Sequence, residues 1–210
     1  SRQRPRGAPV VSGTTHLLHI GRGGSQNLMA TAVAAGLGIA LSVVVARTFS
    51  EEDTGVYFAA TSVALLVAAI SKLGTPIGLV YWVARLRELE RTDELRPLLR
   101  LALRPVLLLS LVGGTALFAT APVTSDVLLD GSETGADMVR VLALALPAIV
   151  VLDALLGATR GLGTMVPTAL IDRIGRPAAQ LVLTVAAAAT GSIVAVTAAW
   201  ALPYLALATI

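Results

Sequence analysis

A chain of 210 residues that is 55% hydrophobic and 14% charged, with a mean hydropathy of +0.80, has too little polar surface to cover a globule in water, where domains carry about 25% charged residues. It contains no cysteine, which excludes a disulfide framework, a thiolate nucleophile and a cysteine-based metal or iron–sulfur centre. The formal net charge of +3 is scattered between apolar runs and does not form the continuous basic and aromatic stripe of a nucleic-acid binder.

Uncharged runs long enough to cross a hydrocarbon core of roughly 30 Å recur along the chain, so the sequence predicts an all-α integral membrane protein. Residues 1–27 read as a basic tail holding Arg2, Arg4, Arg6 and Arg22 and no acid. The apolar run that follows starts too late and is too long for a signal peptide. A first span is predicted over 28–46, where Gly36 and Gly38 suggest a close-packing pair. The second, 56–84, is too long for an upright helix and is interrupted by Lys72, Gly74 and Pro76, so a kink or tilt is expected. The third, 105–125, starts at Arg104 and Pro105, which suits the first turn of a helix. The fourth, 138–159, carries Pro147 and the lone acid Asp153.

From Pro177 to Ile210 the chain has no charge. Two spans, 164–190 and 191–210, turned at Thr190-Gly191-Ser192, place Asp172, Arg173 and Arg176 inside the fifth. The alternative keeps 160–177 in water and counts five spans. Six are preferred, because the turn residues fall midway through the apolar stretch. The chain ends at Ile210 inside an apolar run and lacks an initiator methionine, which reads as a fragment.

Arginine concentrates on alternate connections. The tail and the 85–104 connection (Arg85, Arg87, Arg91, Arg96, Arg100, Arg104) are rich in it, whereas Arg47 stands alone beside Glu51, Glu52 and Asp53, and 122–137 has acids only. The positive-inside rule then predicts a multi-pass protein of the cytoplasmic membrane with its amino terminus in the cytoplasm. Arg160 falls on the same side. Residues 85–104, with Glu88, Glu90, Asp93 and Glu94 among the arginines, read as an amphipathic helix at the lipid headgroups with a Glu88–Arg91 pair; lipid recognition is the sharper alternative.

Charges at bilayer depth are costly and face partners or wet cavities. Lys72, Asp153, and the group Asp172, Arg173 and Arg176 qualify, with Arg47 at a helix end. Spacing puts Asp172 and Arg176 on one helix face and Arg173 and Arg176 on an adjoining one, so Asp172 neutralises one arginine and leaves the other to meet an anion. These charges either bind an anionic ligand or pair with one another and snorkel; Asp153 is a cation site or a counter-ion. His16 and His19 have no acid nearby to complete a metal site, and no phosphate loop or dinucleotide fingerprint is present. Neither a cofactor nor an enzymatic activity is expected. Gly157-x-x-x-Gly161-x-Gly163 predicts helix packing through small residues.

The string Ala46-Arg47-Thr48-Phe49-Ser50-Glu51-Glu52-Asp53-Thr54-Gly55-Val56-Tyr57 resembles the junction after the first helix of bacterial polysaccharide flippases, members of the multidrug/oligosaccharidyl-lipid/polysaccharide exporter superfamily. Lys72-Leu73-Gly74-Thr75-Pro76 resembles their second-helix break, and Thr159-Arg160-Gly161-Leu162-Gly163 the segment before their fifth helix. The resemblance implies the amino-terminal six-helix lobe of a two-lobe transporter, with the carboxy-terminal lobe missing from this chain. It also implies export of a lipid-linked oligosaccharide or polysaccharide precursor by alternating access, without nucleotide hydrolysis. Membrane lipids are the other implied partner, and nucleic acid is not one. By charge and depth, Arg47, Lys72, Arg173 and Arg176 are the candidates to bind substrate, with Asp153 and Asp172 as ion sites or counter-charges. The alternatives are a cation-coupled multidrug exporter of the same superfamily, disfavoured by the absence of an acid in 28–46, and a non-transporting membrane subunit.

Overall fold

The computed structural model describes residues 13–129 and 131–208, with side chains from Leu28 onward. Among these residues the chain is all helical. Residues 1–12 of the expected tail lie outside the described residues, as do the side chains of His16, His19 and Arg22. From Gly13 the backbone is already helical: α1 spans Gly13–Thr48, and its stretch Leu28–Thr48 is long and apolar enough to cross a membrane.

Ser50 separates α1 from α2 (Glu51–Lys72). Its extended backbone and side-chain oxygen, which accepts from the Asp53 amide at 3.1 Å, make it an N-cap. Glu51, Glu52 and Asp53 then place negative charge at the positive end of the helix. The expected interruption of the second span is a full break. Leu73 (φ 46°) and Gly74 (φ 72°) are both left-handed, and Pro76 sits in the first turn of α3 (Thr75–Glu88), where a missing N–H does no harm.

Residues 85–104 do not form one interfacial helix. They comprise the end of α3, a single 3₁₀ turn over Thr92–Glu94, and the start of α4 (Leu95–Ala119). Glu90 takes a positive φ of 55°, which breaks the helical register, so Arg91 pairs with Glu94 and not with Glu88. Pro105 therefore lies inside α4 and does not open it; the helix tolerates it at the loss of one backbone bond. The third span also ends earlier than expected, at Thr120, with Pro122 in the first turn of the short helix α5 (Ala121–Leu128).

The central element is α6 (Glu133–Gly161), N-capped by Ser132, whose side chain accepts from the Gly135 amide at 2.9 Å. It packs against α2, α3, α4 and α5 and against α8 (Ile193–Ala208). Of its most apolar stretch 67% is buried, against 17–22% for the other long helices, as expected for a helix that is apolar all round. Met138, Leu142, Leu146 and Ile149 on α6 join Tyr57 and Val106 in the main core.

Gly157 and Gly161 act as the small-residue pattern predicts. A Cβ at Gly157 would sit 2.6 Å from the Pro76 carbonyl oxygen, and one at Gly161 2.9 Å from that of Val80, so α3 lies backbone against α6. Gly36 and Gly38 behave differently: nothing lies within 4 Å of a Cβ built on either. The close packing expected of them is not formed, because α1 packs chiefly on α7 (Arg176–Ala188) and the π turn before it, and little on α2.

Among the described residues four helical stretches are long and apolar enough to cross a membrane: Leu28–Thr48, Glu51–Glu88, Thr92–Ala119 and Glu133–Gly161. Their outer faces agree with a lipid surrounding, with Ile77 79%, Leu101 72% and Leu144 67% exposed. The six-span count is not reproduced. The expected fifth span is an eight-residue π-helical segment, Thr168–Gly175, continued by α7, with three charges in its first half. The sixth is described over 16 residues as the apolar helix α8. The turn at residues 190–192 does separate them, with Gly191 at φ 70°.

Candidate functional site

A cavity of about 460 Å³ opens between α1, α2 and the π turn–α7 helix, with Trp200 of α8 behind it. Each wall is one helical stripe, recurring every three to four residues as one face of a helix requires. Leu37, Gly38, Leu41 and Ser42 come from α1, Tyr57, Phe58, Thr61 and Ser62 from α2, and Asp172, Arg173, Arg176 and Gln180 from the π turn and α7.

The charged wall is tightly organised. Arg176 donates from Nε and Nη2 to Asp172 Oδ1 at 3.1 and 2.8 Å, the i,i+4 pair expected from the sequence. Its Nη1 donates to Gln180 Oε1 at 3.2 Å and to the Tyr204 hydroxyl at 2.8 Å. The guanidinium also lies over the Tyr204 ring, 4.8 Å from its centroid, a geometry in which the ring face attracts the cation. Gln180 is held in turn by its amide donating to the Trp200 carbonyl at 2.8 Å. Arg173, at the middle of the π turn, donates to the Thr31 hydroxyl on α1. The trio Asp172, Arg173 and Arg176 carries one more positive than negative charge, fixed at a partly exposed wall. Such a wall holds an anion through planar guanidinium donors.

The opposite wall offers hydroxyls. Ser42, Thr61 and Ser62 donate to the carbonyls of Gly38, Tyr57 and Phe58 on their own helices, which leaves their oxygens as acceptors. Tyr57 differs. It is 1% exposed, and its hydroxyl has no hydrogen-bond partner among the described residues, although a buried hydroxyl left unpaired costs about 1–3 kcal/mol.

The six sequence candidates fall into three places. Arg173, Arg176 and Asp172 line the cavity. Lys72 and Asp153 do not; they form an ion pair between the end of α2 and α6, with 24% and 30% of their side chains exposed. Asp153 lies one helical turn before Gly157, so α6 grips both sides of the α2–α3 break, by charge at Lys72 and by backbone contact at Pro76. Arg47 is exposed in the last turn of α1, away from the cavity lining, where a cation complements the helix dipole. Thr31, Tyr57, Gln180 and Tyr204 complete the site and are absent from a reading based on formal charge. Gln180, one turn after Arg176 in an otherwise apolar run, was the available signal. Among the described residues no group of acids or histidines is placed to hold a metal.

Comparison with protein-family models, with curated proteins and with solved structures finds no match to this chain.

Proposed function

We propose that this protein is a transporter of the cytoplasmic membrane that moves a lipid-linked oligosaccharide or polysaccharide precursor between leaflets by alternating access. In this reading it is a six-helix lobe, amino terminus in the cytoplasm, working against a second six-helix lobe and hydrolysing no nucleotide. One observation carries the proposal: a cavity between helices places the Arg173 and Arg176 guanidinium groups opposite the hydroxyl-bearing side chains of Ser42, Thr61 and Ser62. Its volume, about 460 Å³, lies in the range that encloses a small polar headgroup. Phosphate oxygens are suited to the guanidinium wall and sugar hydroxyls to the serine and threonine wall, while an attached lipid tail stays in the bilayer.

The residues divide accordingly. Arg173 and Arg176 hold the anionic group, Asp172 and Gln180 orient Arg176, and Asp153 serves as the counter-charge of Lys72. The test is the double variant Arg173→Ala/Arg176→Ala in the intact protein. Loss of two charge-assisted contacts, each worth about 1.5–3 kcal/mol, lowers appearance of labelled precursor at the outer leaflet at least about tenfold at unchanged expression. Normal export by this variant refutes the cavity's role.

A further inference from the structure

A second groove, of about 590 Å³, lies between α3 and the end of α6, lined by Pro76, Ile77, Val80, Tyr81, Arg85 and Arg160 among others. Its two arginines come from the last turns of different helices, and neither has an ion-pair partner among the described residues. Among the described residues Arg160 is anchored only through Nε, which donates to the Leu156 carbonyl at 3.2 Å, and Arg85 donates from Nη1 to the Tyr81 hydroxyl at 3.3 Å. Glu88 also lines the groove but pairs with neither, leaving one excess positive charge. The frame is firm: Arg87 donates to the Leu162 carbonyl at 2.7 Å, tying the end of α3 to the turn after α6.

From the arginines the groove continues along α3 as an apolar wall. The nine-residue step from Pro76 to Arg85 is about 14 Å of helix, close to half of a hydrocarbon core of roughly 30 Å. Ile77 is 79% exposed, and Tyr81 and Trp82, 58% and 51% exposed, meet edge to face at 5.5 Å, as aromatic residues do at a membrane interface. A free anion has no use for such a wall.

We infer that this groove binds an anionic phospholipid, its headgroup phosphate between Arg85 and Arg160 and one acyl chain along Ile77, Val80 and Tyr81. The site is separate from the cavity of α1, α2 and α7 and stands whether or not the protein is a transporter.

The test is lipid binding by the full chain in neutral detergent, read by native mass spectrometry with phosphatidylglycerol and phosphatidylcholine of identical acyl chains. Each arginine near a headgroup contributes roughly fivefold, so phosphatidylglycerol is expected to bind at least about tenfold more tightly. Arg85→Gln/Arg160→Gln removes that preference, whereas Arg140→Gln, on a residue paired to Asp137 near the start of α6, retains it. Glu88→Gln, an exposed change that leaves the fold intact, tightens phosphatidylglycerol by about threefold. Equal binding of the two lipids, an undiminished preference in the double variant, or no response to Glu88→Gln overturns the proposal. So does competition by millimolar inorganic phosphate, which identifies a site for a free anion and not for a lipid.

Discussion

The α3–α6 junction and the cleft beside α1 are built from the same materials, glycines in an apolar helix and charges at depth, and use them in opposite ways. At the junction, Gly157 and Gly161 admit the backbone of α3 to contact, and Lys72 and Asp153 close on each other. In the cleft, Gly38 has open space beside it, and Arg176 is held by Asp172, Gln180 and Tyr204 along the cavity wall. A small residue or an intramembrane charge does not by itself signify packing or binding. What decides is whether an opposing element closes over it.

The contrast can be broken most severely at the glycines. Gly157→Ala drives a methyl group into the backbone of Pro76 and is expected to destabilise by about 3 kcal/mol, whereas Gly38→Ala, with nothing within 4 Å, is neutral or stabilises α1 by up to about 1 kcal/mol. Unfolding of both variants in mixed micelles measures the difference, and equal effects would abolish the distinction. Next in size, Asp153→Ala strands the Lys72 ammonium and costs about 2 kcal/mol, less than for a fully buried pair because both side chains are partly exposed. Lys72→Met/Asp153→Leu should recover to within about 1 kcal/mol of the wild type, as a pair that only holds two helices together requires. The smallest effect, and the most informative about the cleft, is Tyr57→Phe. Removing a buried hydroxyl that has no partner among the described residues raises stability by up to about 1 kcal/mol. A fall in stability instead would mean that the hydroxyl already has a partner inside the protein.

What the sequence made readable follows from how local each determinant is. The break at Leu73–Gly74, the turn at Gly191 and the Asp172–Arg176 pair depend on residues within a few positions of each other, and glycine, proline and i,i+4 spacing announce them. The Gly157–Gly161 contact was legible for a similar reason, since spacing on one helix is enough to mark a face. Pairing between distant segments was not: nothing in the neighbourhood of Lys72 points to Asp153, nor anything near Arg176 to Tyr204. The early start of α4 is hidden in the sequence because Pro105 has the character of a helix opener, although nearly three preceding turns of mixed leucine and arginine already form a helix. The cavity's neutral half was overlooked because a search for costly charges passes over a tyrosine or a glutamine whose cost appears only once it is buried.

The wide turn Thr168–Gly175 has a consequence for insertions and deletions. Its backbone bonds reach five residues along, and a Cβ at Gly175 would stand 2.8 Å from the Leu170 carbonyl oxygen, so a side chain at Gly175 would crowd the preceding turn. Deleting one residue from it would restore ordinary α spacing and satisfy the main chain equally well, yet it would change the register of the residues before the deletion against those after it and carry Arg173 off Thr31. The number of residues in this short stretch is thus as much a determinant of the cavity as their identities, and a length-neutral substitution there is far safer than an indel.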